Sequence, residues 1–147
     1  MSRIIIRKVG TPGDLPKDKE LILNKIEKEL FGHTWWRKYA FWWIAYHEGT
    51  PIGMAGLDFW NPPDVDDPSA FLARVGVLTE YRGLGLQSRF IKVREKQAVE
   101  EGYSRIITYT SLDNVHSANN LIKHGYRLYV PPVNWGVRNA MYFEKYL

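Results

Sequence analysis

Residues 77–90, VLTEYRGLGLQSRF, join an apolar run to a helical pattern through two glycines, Gly83 and Gly85. A plain strand-to-helix turn needs one glycine at most, so this pair indicates that backbone N–H groups are kept accessible. The first N–H groups of a helix lack intrahelical partners and carry the positive end of the helix dipole. Glycine lets a ligand approach the backbone without meeting a Cβ atom. The segment therefore predicts an anion site, and phosphate groups suit such a site.

Two well-known phosphate loops do not match this segment. The loop of P-loop nucleotide hydrolases needs a Lys followed by Ser or Thr after its last glycine, whereas Leu86 and Gln87 follow Gly85. The dinucleotide-binding fingerprint needs a third glycine, and no glycine stands at that place in the segment.

Apolar runs and helical periodicities predict alternating strands and helices along the whole chain. Residues Ile22, Ile26 and Leu30 recur at steps of four, which gives the first helix one apolar face. The predicted strands cover residues 4–9, 41–46, 52–59, 70–78, 105–110, 126–130 and 137–143. The predicted helices cover residues 17–31, 33–37, 84–101 and 114–124. Residues 70–110 form a β-α-β unit, so its two strands should be parallel, whereas the early hairpin and the closing pair should be antiparallel. These elements predict a mixed α/β fold.

Length and composition exclude several classes of protein. A chain of 147 residues suits a single domain over residues 1–147. The absence of cysteine excludes disulfides, thiolate metal sites and a cysteine nucleophile, and it fits a cytoplasmic location. No apolar run approaches the roughly 20 residues that a membrane span needs, so we expect no membrane partner. The four histidines show no metal-ligand spacing, so we expect no metal.

A first motif resembles a known family. Residues 82–87, RGLGLQ, resemble the Gln/Arg-x-x-Gly-x-Gly/Ala motif of the GNAT superfamily of N-acetyltransferases, with Gln87 departing from its final Gly/Ala. Residues 74–77, RVGV, resemble the central strand of that family. A second motif, NVHSANNLIKHGY at residues 114–126, resembles the later Asn-x-x-Ala…Tyr-x-Lys-x-Gly-Phe motif. The two motifs stand in the expected order with a predicted strand between them.

The resemblance implies a fold, an activity and a cosubstrate. The fold is a central mixed, mostly antiparallel sheet of about six to seven strands, flanked by helices and holding a β-α-β cofactor-binding unit. The activity is acetyl transfer from acetyl-CoA to a primary amine of a small molecule or a peptide. The implied acetyl-CoA-binding residues are Val75, Val77, Arg82, Gly83, Leu84, Gly85, Leu86, Gln87, Asn114 and Ser117. Family members often dimerise through their last strands, which implies a homodimer interface at residues 142–147.

Two catalytic groups common in the family are missing from their places. The tyrosine that protonates the departing thiolate is replaced by Leu121, and the glutamate that acts as general base is replaced by Tyr109. Substitute catalytic groups are Tyr109 as an acid or a water-holding group, Glu80 as a base acting through water, and Asp58 as a group that holds a cationic amine. His116 is a further candidate. Each also has a purely structural interpretation: Tyr109 as an aromatic residue packed on the sheet, Glu80 as a solvated loop charge, Asp58 as a polar strand end, and His116 as an exposed helix residue.

Two other groups of residues leave alternatives open. The first group is a run of aromatic residues, which either form a wall of an acceptor site or pack in the core. Its members are Trp35, Trp36, Tyr39, Phe41, Trp42 and Trp43. The second group is the carboxylates Asp64, Asp66 and Asp67, which either attract a cationic acceptor or lie on a solvated loop.

Two rival functions also remain: a non-catalytic module that binds CoA or another phosphate ligand, and a nucleic-acid binder. The net charge of +4 is scattered rather than concentrated in a basic stripe, which makes nucleic acid the less favoured partner.

Overall fold

A computed structural model describes residues 3–34, 39–60, 68–132 and 135–147 of the chain. Within these residues the strands are β1 (Ile4–Gly10), β2 (Phe41–His47), β3 (Thr50–Trp60), β4 (Ser69–Val77), β5 (Arg105–Ser111), β6 (Arg127–Tyr129) and β7 (Ala140–Tyr146). The helices are α1 (Lys17–Phe31), α2 (Leu86–Glu100) and α3 (Val115–Lys123), and a 3-10 turn covers Thr79–Tyr81.

The strands form one mixed sheet in the order β1-β2-β3-β4-β5-β7-β6. Strands β4 and β5 pair in parallel, with Ala70 opposite Ile106, as the β-α-β unit predicts. The hairpin β2–β3 and the closing pair β6–β7 are antiparallel, which confirms the other two pairings. The predicted fold class, a mixed and mostly antiparallel sheet with helices, is therefore confirmed.

The chain divides into two compact units, one made of Met1–Asp58 and Ala73–Phe90 and the other of Phe59–Leu72 and Ile91–Leu147. The single domain over residues 1–147 stays a prediction.

In the first unit, helix α1 buries its predicted apolar face against the sheet. Leu23 and Ile26 of α1 share a buried cluster with Trp42, Ile44 and Met54 of the β2–β3 hairpin. The helix ends where Gly32 takes a left-handed φ of 78° and its N–H donates to the Lys28 carbonyl oxygen. This is ordinary glycine capping, so the local sequence suffices to end the helix at this point.

Three of the four described members of the predicted aromatic patch are core residues. Phe41, Trp42 and Trp43 are 4%, 1% and 5% exposed, so these three residues pack inside the protein and do not wall a site. Tyr39 is exposed. Of the predicted short helix, residues 33 and 34 are not helical. Trp35, Trp36, the rest of that helix and the three loop carboxylates lie outside the described residues.

In the second unit, a polar network joins helix α2 to the end of α3 and to β7. The Tyr126 hydroxyl donates to Glu95 Oε2 at 2.9 Å, and Lys145 Nζ lies 2.8 Å from the same oxygen. Lys145 also donates to the His124 carbonyl oxygen at the end of α3. Burial and the neighbouring Glu95 carboxylate raise the pKa of Tyr126, because both disfavour a phenolate. The network therefore holds the end of α3 against α2.

The last strand begins three residues later than predicted. Strand β7 pairs with β5 along its length, from Ser111 opposite Ala140 to Arg105 opposite Tyr146. The prediction that it begins at Val137 is wrong, because register with β5 sets the strand and the Val137 carbonyl accepts instead from the Tyr142 hydroxyl at 2.6 Å. None of the helices in the described ranges has the length and apolar character needed to cross a membrane.

Gly56 in β3 faces the indole ring of the buried Trp42, which leads to a stability prediction. A Cβ at Gly56 would lie 2.6 Å from the nearest ring carbon of Trp42, which is closer than real contacts allow. We expect Gly56→Ala to lower the free energy of unfolding, measured in urea, by about 1–2 kcal/mol.

A double-mutant cycle tests whether this contact is the cause. Trp42→Phe removes the outer ring atoms, so it should cost less stability in the Gly56→Ala background than in the wild type. Equal costs in the two backgrounds would contradict the steric explanation.

Candidate functional site

The loop between β4 and α2 has the backbone that the sequence predicts. Gly83 and Gly85 adopt left-handed φ angles of 80° and 77°. A Cβ at either position would meet nothing within 4 Å, so the backbone conformation is what requires glycine there. Leu84 between them is 41% exposed, whereas Leu86 at the start of α2 is 2% exposed. The loop thus lies open to solvent and is anchored by Leu86 as the helix begins.

The start of α2 presents N–H groups beside these glycines. The Arg89 N–H donates to the Gly85 carbonyl oxygen at 3.1 Å, and this bond is the first of the helix. The N–H groups of Leu86 and Gln87 precede it, and helix geometry offers them no partner four residues back. The first turn of α2 contains no acidic residue that would repel an anion. The loop and helix start therefore form a positive, accessible backbone surface.

Arg82 is held at the base of this loop. Its Nε donates to the Val77 carbonyl oxygen at 3.2 Å, while the residue as a whole is exposed. The guanidinium thus has one fixed contact and still faces water, where it adds positive charge to the loop. Val77 is buried and Val75 is half-buried in β4. Gln87, where the family has Gly or Ala, is half-buried in the first turn of α2.

Asn114 begins helix α3 in the second unit. Its side-chain oxygen Oδ1 accepts from the Ser117 N–H at 3.2 Å, and its carbonyl oxygen accepts from the Ala118 N–H at 3.1 Å. Asn114 is therefore the N-cap of α3, a role that satisfies one of the orphan N–H groups of the helix. Capping uses the amide oxygen, so the amide N–H2 is the part of Asn114 suited to donate to a ligand. His116, the next candidate along α3, is exposed.

Tyr109, near the end of β5, lies in a cluster of aromatic rings. Its ring centroid is 5.8 Å from Phe71, 5.5 Å from Trp135 and 5.9 Å from Tyr142. Trp135 in turn contacts Phe71 and Tyr142 and donates its indole N–H to the Tyr129 hydroxyl at 2.8 Å. These rings touch one another directly, so the cluster is packed and holds Tyr109 in place.

The sequence predictions missed the other members of this cluster. Phe71 lies on β4, Tyr142 on β7 and Trp135 in the loop that precedes β7, so only the pairing of strands brings them to Tyr109. The nearest signal in the sequence was Gly136, whose absent Cβ makes room for the Tyr109 ring at 2.6 Å.

An open groove of about 400 Å³ adjoins the aromatic cluster and includes two of its tyrosines. The residues that line it are Leu128, Tyr129, Val130, Pro131, Asn139, Ala140, Met141 and Tyr142. Its volume lies within the range of about 300–1,000 Å³ found for small-ligand pockets, and its lining is mainly apolar.

The two carboxylate candidates of the first unit lie far apart. Leu78, two residues before Glu80, donates its N–H to the Ile52 carbonyl oxygen at 2.9 Å, which fixes Ile52 beside the end of β4. Asp58 lies six residues further along β3, which corresponds to roughly 20 Å of extended strand. Asp58 and Glu80 therefore cannot serve one reaction centre together. Among the described residues, no group of three metal-ligating side chains comes together.

The comparisons with known proteins agree with this geometry. A sequence model of the Acetyltransferase (GNAT) family matches residues 15–126 of the chain. The match covers more than half of the 147 residues, so the chain belongs to the GNAT acetyltransferase family. The resemblance noted from the two motifs is thereby confirmed. A search of curated proteins found no match.

Solved structures with the same fold include proteins bound to CoA compounds. Arabidopsis thaliana NAA60 in complex with acetyl-CoA is 13% identical, with a TM-score of 0.77 over 99% of each chain. Arabidopsis thaliana Naa50 in complex with the bisubstrate analogue CoA-Ac-MVNAL is 16% identical, with a TM-score of 0.75 over 97% of each chain. The aminoglycoside N-acetyltransferase AAC(6')-Iy in complex with CoA is 18% identical, with a TM-score of 0.75 over 94% of this chain and 97% of that one. Similarity at these identities shows the fold alone.

The capping role of Asn114 generates a stability prediction. Asn114→Ala removes the side-chain acceptor for the Ser117 N–H, and we expect it to lower the free energy of unfolding in urea by about 1 kcal/mol. Asn114→Ser is the matched control, because serine is an equally good N-cap and should leave stability close to that of the wild type. Equal stability of the two variants would mean that the cap contributes nothing.

Proposed function

We propose that this chain is an N-acetyltransferase that transfers the acetyl group of acetyl-CoA to a primary amine of a small molecule or a peptide. The observation that carries the proposal is the pair of left-handed glycines, Gly83 and Gly85, before a helix start free of acidic residues. Membership of the family and the CoA complexes of proteins with the same fold support it.

The pyrophosphate of acetyl-CoA is the group assigned to this loop. Its oxygens need several N–H donors at close range, and the backbone at Gly83, Leu84 and Gly85 is open enough for such an approach. Leu86 and Gln87 would supply further N–H groups from the first turn of α2, because a backbone donor does not depend on the side chain. Arg82 would add positive charge from the solvent side.

The pantetheine arm of acetyl-CoA is assigned to backbone and amide groups. Val75 and Val77 would pair with it through their backbone, as an added strand pairs with a sheet edge. Asn114 would donate its amide N–H2, with Ser117 beside it in the first turn of α3. Because Asn114→Ser keeps the cap but loses the amide donor, we expect that variant to bind acetyl-CoA more weakly at unchanged stability.

The proposed chemistry is a direct displacement at the thioester. The amine must first lose a proton, since an ammonium ion has no lone pair with which to attack. Its nitrogen then bonds to the carbonyl carbon and releases a second proton to a base or to water, the C–S bond breaks, and the sulfur leaves as a thiolate that takes up a proton. A donor to the developing oxyanion would lower the barrier further.

Tyr109 is the residue proposed to protonate the departing thiolate. It carries the one phenol among the three catalytic candidates, and its ring is held by Phe71, Trp135 and Tyr142. Glu80 remains the candidate for removing the amine proton through water, because it is exposed directly before the loop. Asp58, at the far end of β3, is proposed instead to attract a cationic acceptor.

The acceptor is proposed to use the groove beside the aromatic cluster. The mainly apolar lining of the groove suits an aliphatic or aromatic part of an amine substrate. Proteins of the same fold include one bound to a CoA–peptide analogue and one named for aminoglycosides, so both peptide and small-molecule amines stay within the proposal.

One specific observation favours a second candidate, a non-catalytic CoA-binding module. Leu121, which replaces the usual acid, is 8% exposed and packs as a core residue. A product assay with acetyl-CoA and a panel of primary amines separates the two functions, because only the enzyme yields free CoA and an acetylated amine.

The cytoplasm stays the proposed location, in keeping with the lack of cysteine. The homodimer through residues 142–147 also stays a proposal. Tyr142, Phe143 and Glu144 are already buried within the chain, so the exposed residues at its end would have to supply that contact.

The loop assignment predicts a ligand effect on thermal unfolding. Acetyl-CoA at about 100 times its Kd should stabilise the wild type by about 2.7 kcal/mol, which raises Tm by about 5–10 °C. We expect Gly85→Glu to lose most of this rise, because its carboxylate repels the pyrophosphate.

The matched control is Gly85→Gln. It has the same size as the glutamate and shares the same left-handed backbone strain of about 1–2 kcal/mol, but it lacks the charge. It should therefore keep more of the rise in Tm than Gly85→Glu does. A full rise in both variants would contradict phosphate binding at this loop.

The assignment of Tyr109 predicts a change in turnover. Tyr109→Phe keeps the ring contacts and removes the hydroxyl, so kcat should fall by about 100-fold while the KM for acetyl-CoA stays within about twofold. Glu80→Gln and Asp58→Asn, measured in the same steady-state assay, report on the other candidates. A Tyr109→Phe variant with kcat within about twofold of the wild type would exclude Tyr109 as the acid.

A further inference from the structure

The 3-10 turn before the glycine loop has a side-chain contact that the proposed function does not use. The Tyr81 hydroxyl and His47 Nδ1 share a hydrogen bond of 3.1 Å, although the residues are 34 positions apart in the chain. Their rings also meet edge to face, with centroids 5.3 Å apart. His47 is the last residue of β2 and Tyr81 the last of the turn, and both side chains are half-buried. The contact therefore joins the β2–β3 hairpin to the turn that leads into the loop.

The glycine loop gains from such an anchor because its two glycines have no side chain that could pack. A Cβ at Gly83 or Gly85 would meet no atom within 4 Å, so the surroundings of these two positions are open. The location of the loop must be set by the residues on either side of it. Beyond the loop, the buried Leu86 fixes the start of α2.

Before the loop, a series of bonds leads back to the hairpin. The Leu78 N–H donates to the Ile52 carbonyl oxygen at 2.9 Å, and the Tyr81 N–H donates to the Leu78 carbonyl oxygen at 2.9 Å. These backbone bonds fix the start of the turn on β3. At the far end of the turn, the Arg82 N–H donates to the Thr79 carbonyl oxygen at 3.3 Å, and the bond between Tyr81 and His47 adds the side-chain contact with the β2–β3 hairpin.

We infer that His47 and Tyr81 are positioning residues for the loop, and that their hydrogen bond keeps the backbone of Gly83 and Gly85 where it meets the ligand's phosphates. The inference rests on the proposed function of the loop, namely binding the pyrophosphate of acetyl-CoA. Neither residue is assigned a contact with the ligand or with the reacting atoms. They act by restricting the loop before the ligand arrives, so their loss raises the ordering cost of binding.

The first test measures CoA binding by isothermal titration calorimetry. Tyr81→Phe removes only the hydroxyl oxygen, and His47→Leu removes the ring nitrogen that meets it. The net contribution of a single hydrogen bond is small, so each variant should raise the Kd for CoA by about threefold to tenfold. The double variant should be no weaker than the weaker single variant, because the two residues act through one bond.

Two control variants distinguish positioning from general stability. His47→Asn places an amide near the position of Nδ1 and should restore a Kd within about twofold of the wild type. Tyr126→Phe removes another tyrosine hydrogen bond, the one to Glu95, and should lower stability without changing the Kd for CoA. In steady-state assays at saturating acetyl-CoA, kcat of Tyr81→Phe should stay within about twofold of the wild type.

The outcomes separate the failure of this inference from the failure of the proposed function. If Gly85→Glu weakens CoA binding but Tyr81→Phe and His47→Leu do not, the loop binds phosphate and the positioning role is wrong. Effects of the two single changes that add in the double variant would also overturn it. If Gly85→Glu leaves the Kd for CoA unchanged, the proposed function itself fails. Should His47→Leu not fold, Tyr81→Phe with His47→Asn carries the test, because both changes are conservative.

Discussion

The structure depends on how β4 passes into α2 across Gly83 and Gly85. A strand and a helix differ in backbone direction, and here the change is made by two residues with φ near 80°. L-residues with a Cβ adopt that conformation only at a cost of about 1–2 kcal/mol each, so glycine is the residue that makes the passage at low cost. The N–H groups at the start of the helix that follows have no intrahelical partner four residues back. One backbone constraint thus provides the connection and, in the proposed function, the phosphate site.

Several residues of the candidate site also have a plain structural role. Asn114 caps α3, Leu86 anchors α2, and Tyr109 packs among three other aromatic rings. Such sharing is physically reasonable, because a group that must meet a ligand precisely gains from contacts that restrict its own motion. It also means that loss of activity in a variant proves a functional role only when stability is measured beside it.

The catalytic groups are where sequence and structure diverge most. The positions that usually hold an acid and a base carry Leu121 and Tyr109, and the structure buries Leu121 in the core. Asp58 and Glu80 both look acceptable in the sequence, yet Asp58 lies roughly 20 Å of extended strand beyond Ile52, the residue of β3 that bonds to the end of β4. The sequence cannot rank such candidates, because the number of residues between two positions does not tell how far apart the sheet places them. Tyr109 is favoured because contacts with neighbouring rings hold it in place, whereas the other candidates are proposed from their residue type alone.

The sequence by itself determined the local features of this protein. It predicted α1, the β2–β3 hairpin, the parallel β-α-β unit and the glycine loop, because each depends on residues a few positions apart. Only the tertiary structure decided the start of β7, the convergence of Phe71, Tyr109 and Trp135, and the bond between His47 and Tyr81. Those features depend on register and packing between residues that are distant in the chain, and no local periodicity encodes which of them meet.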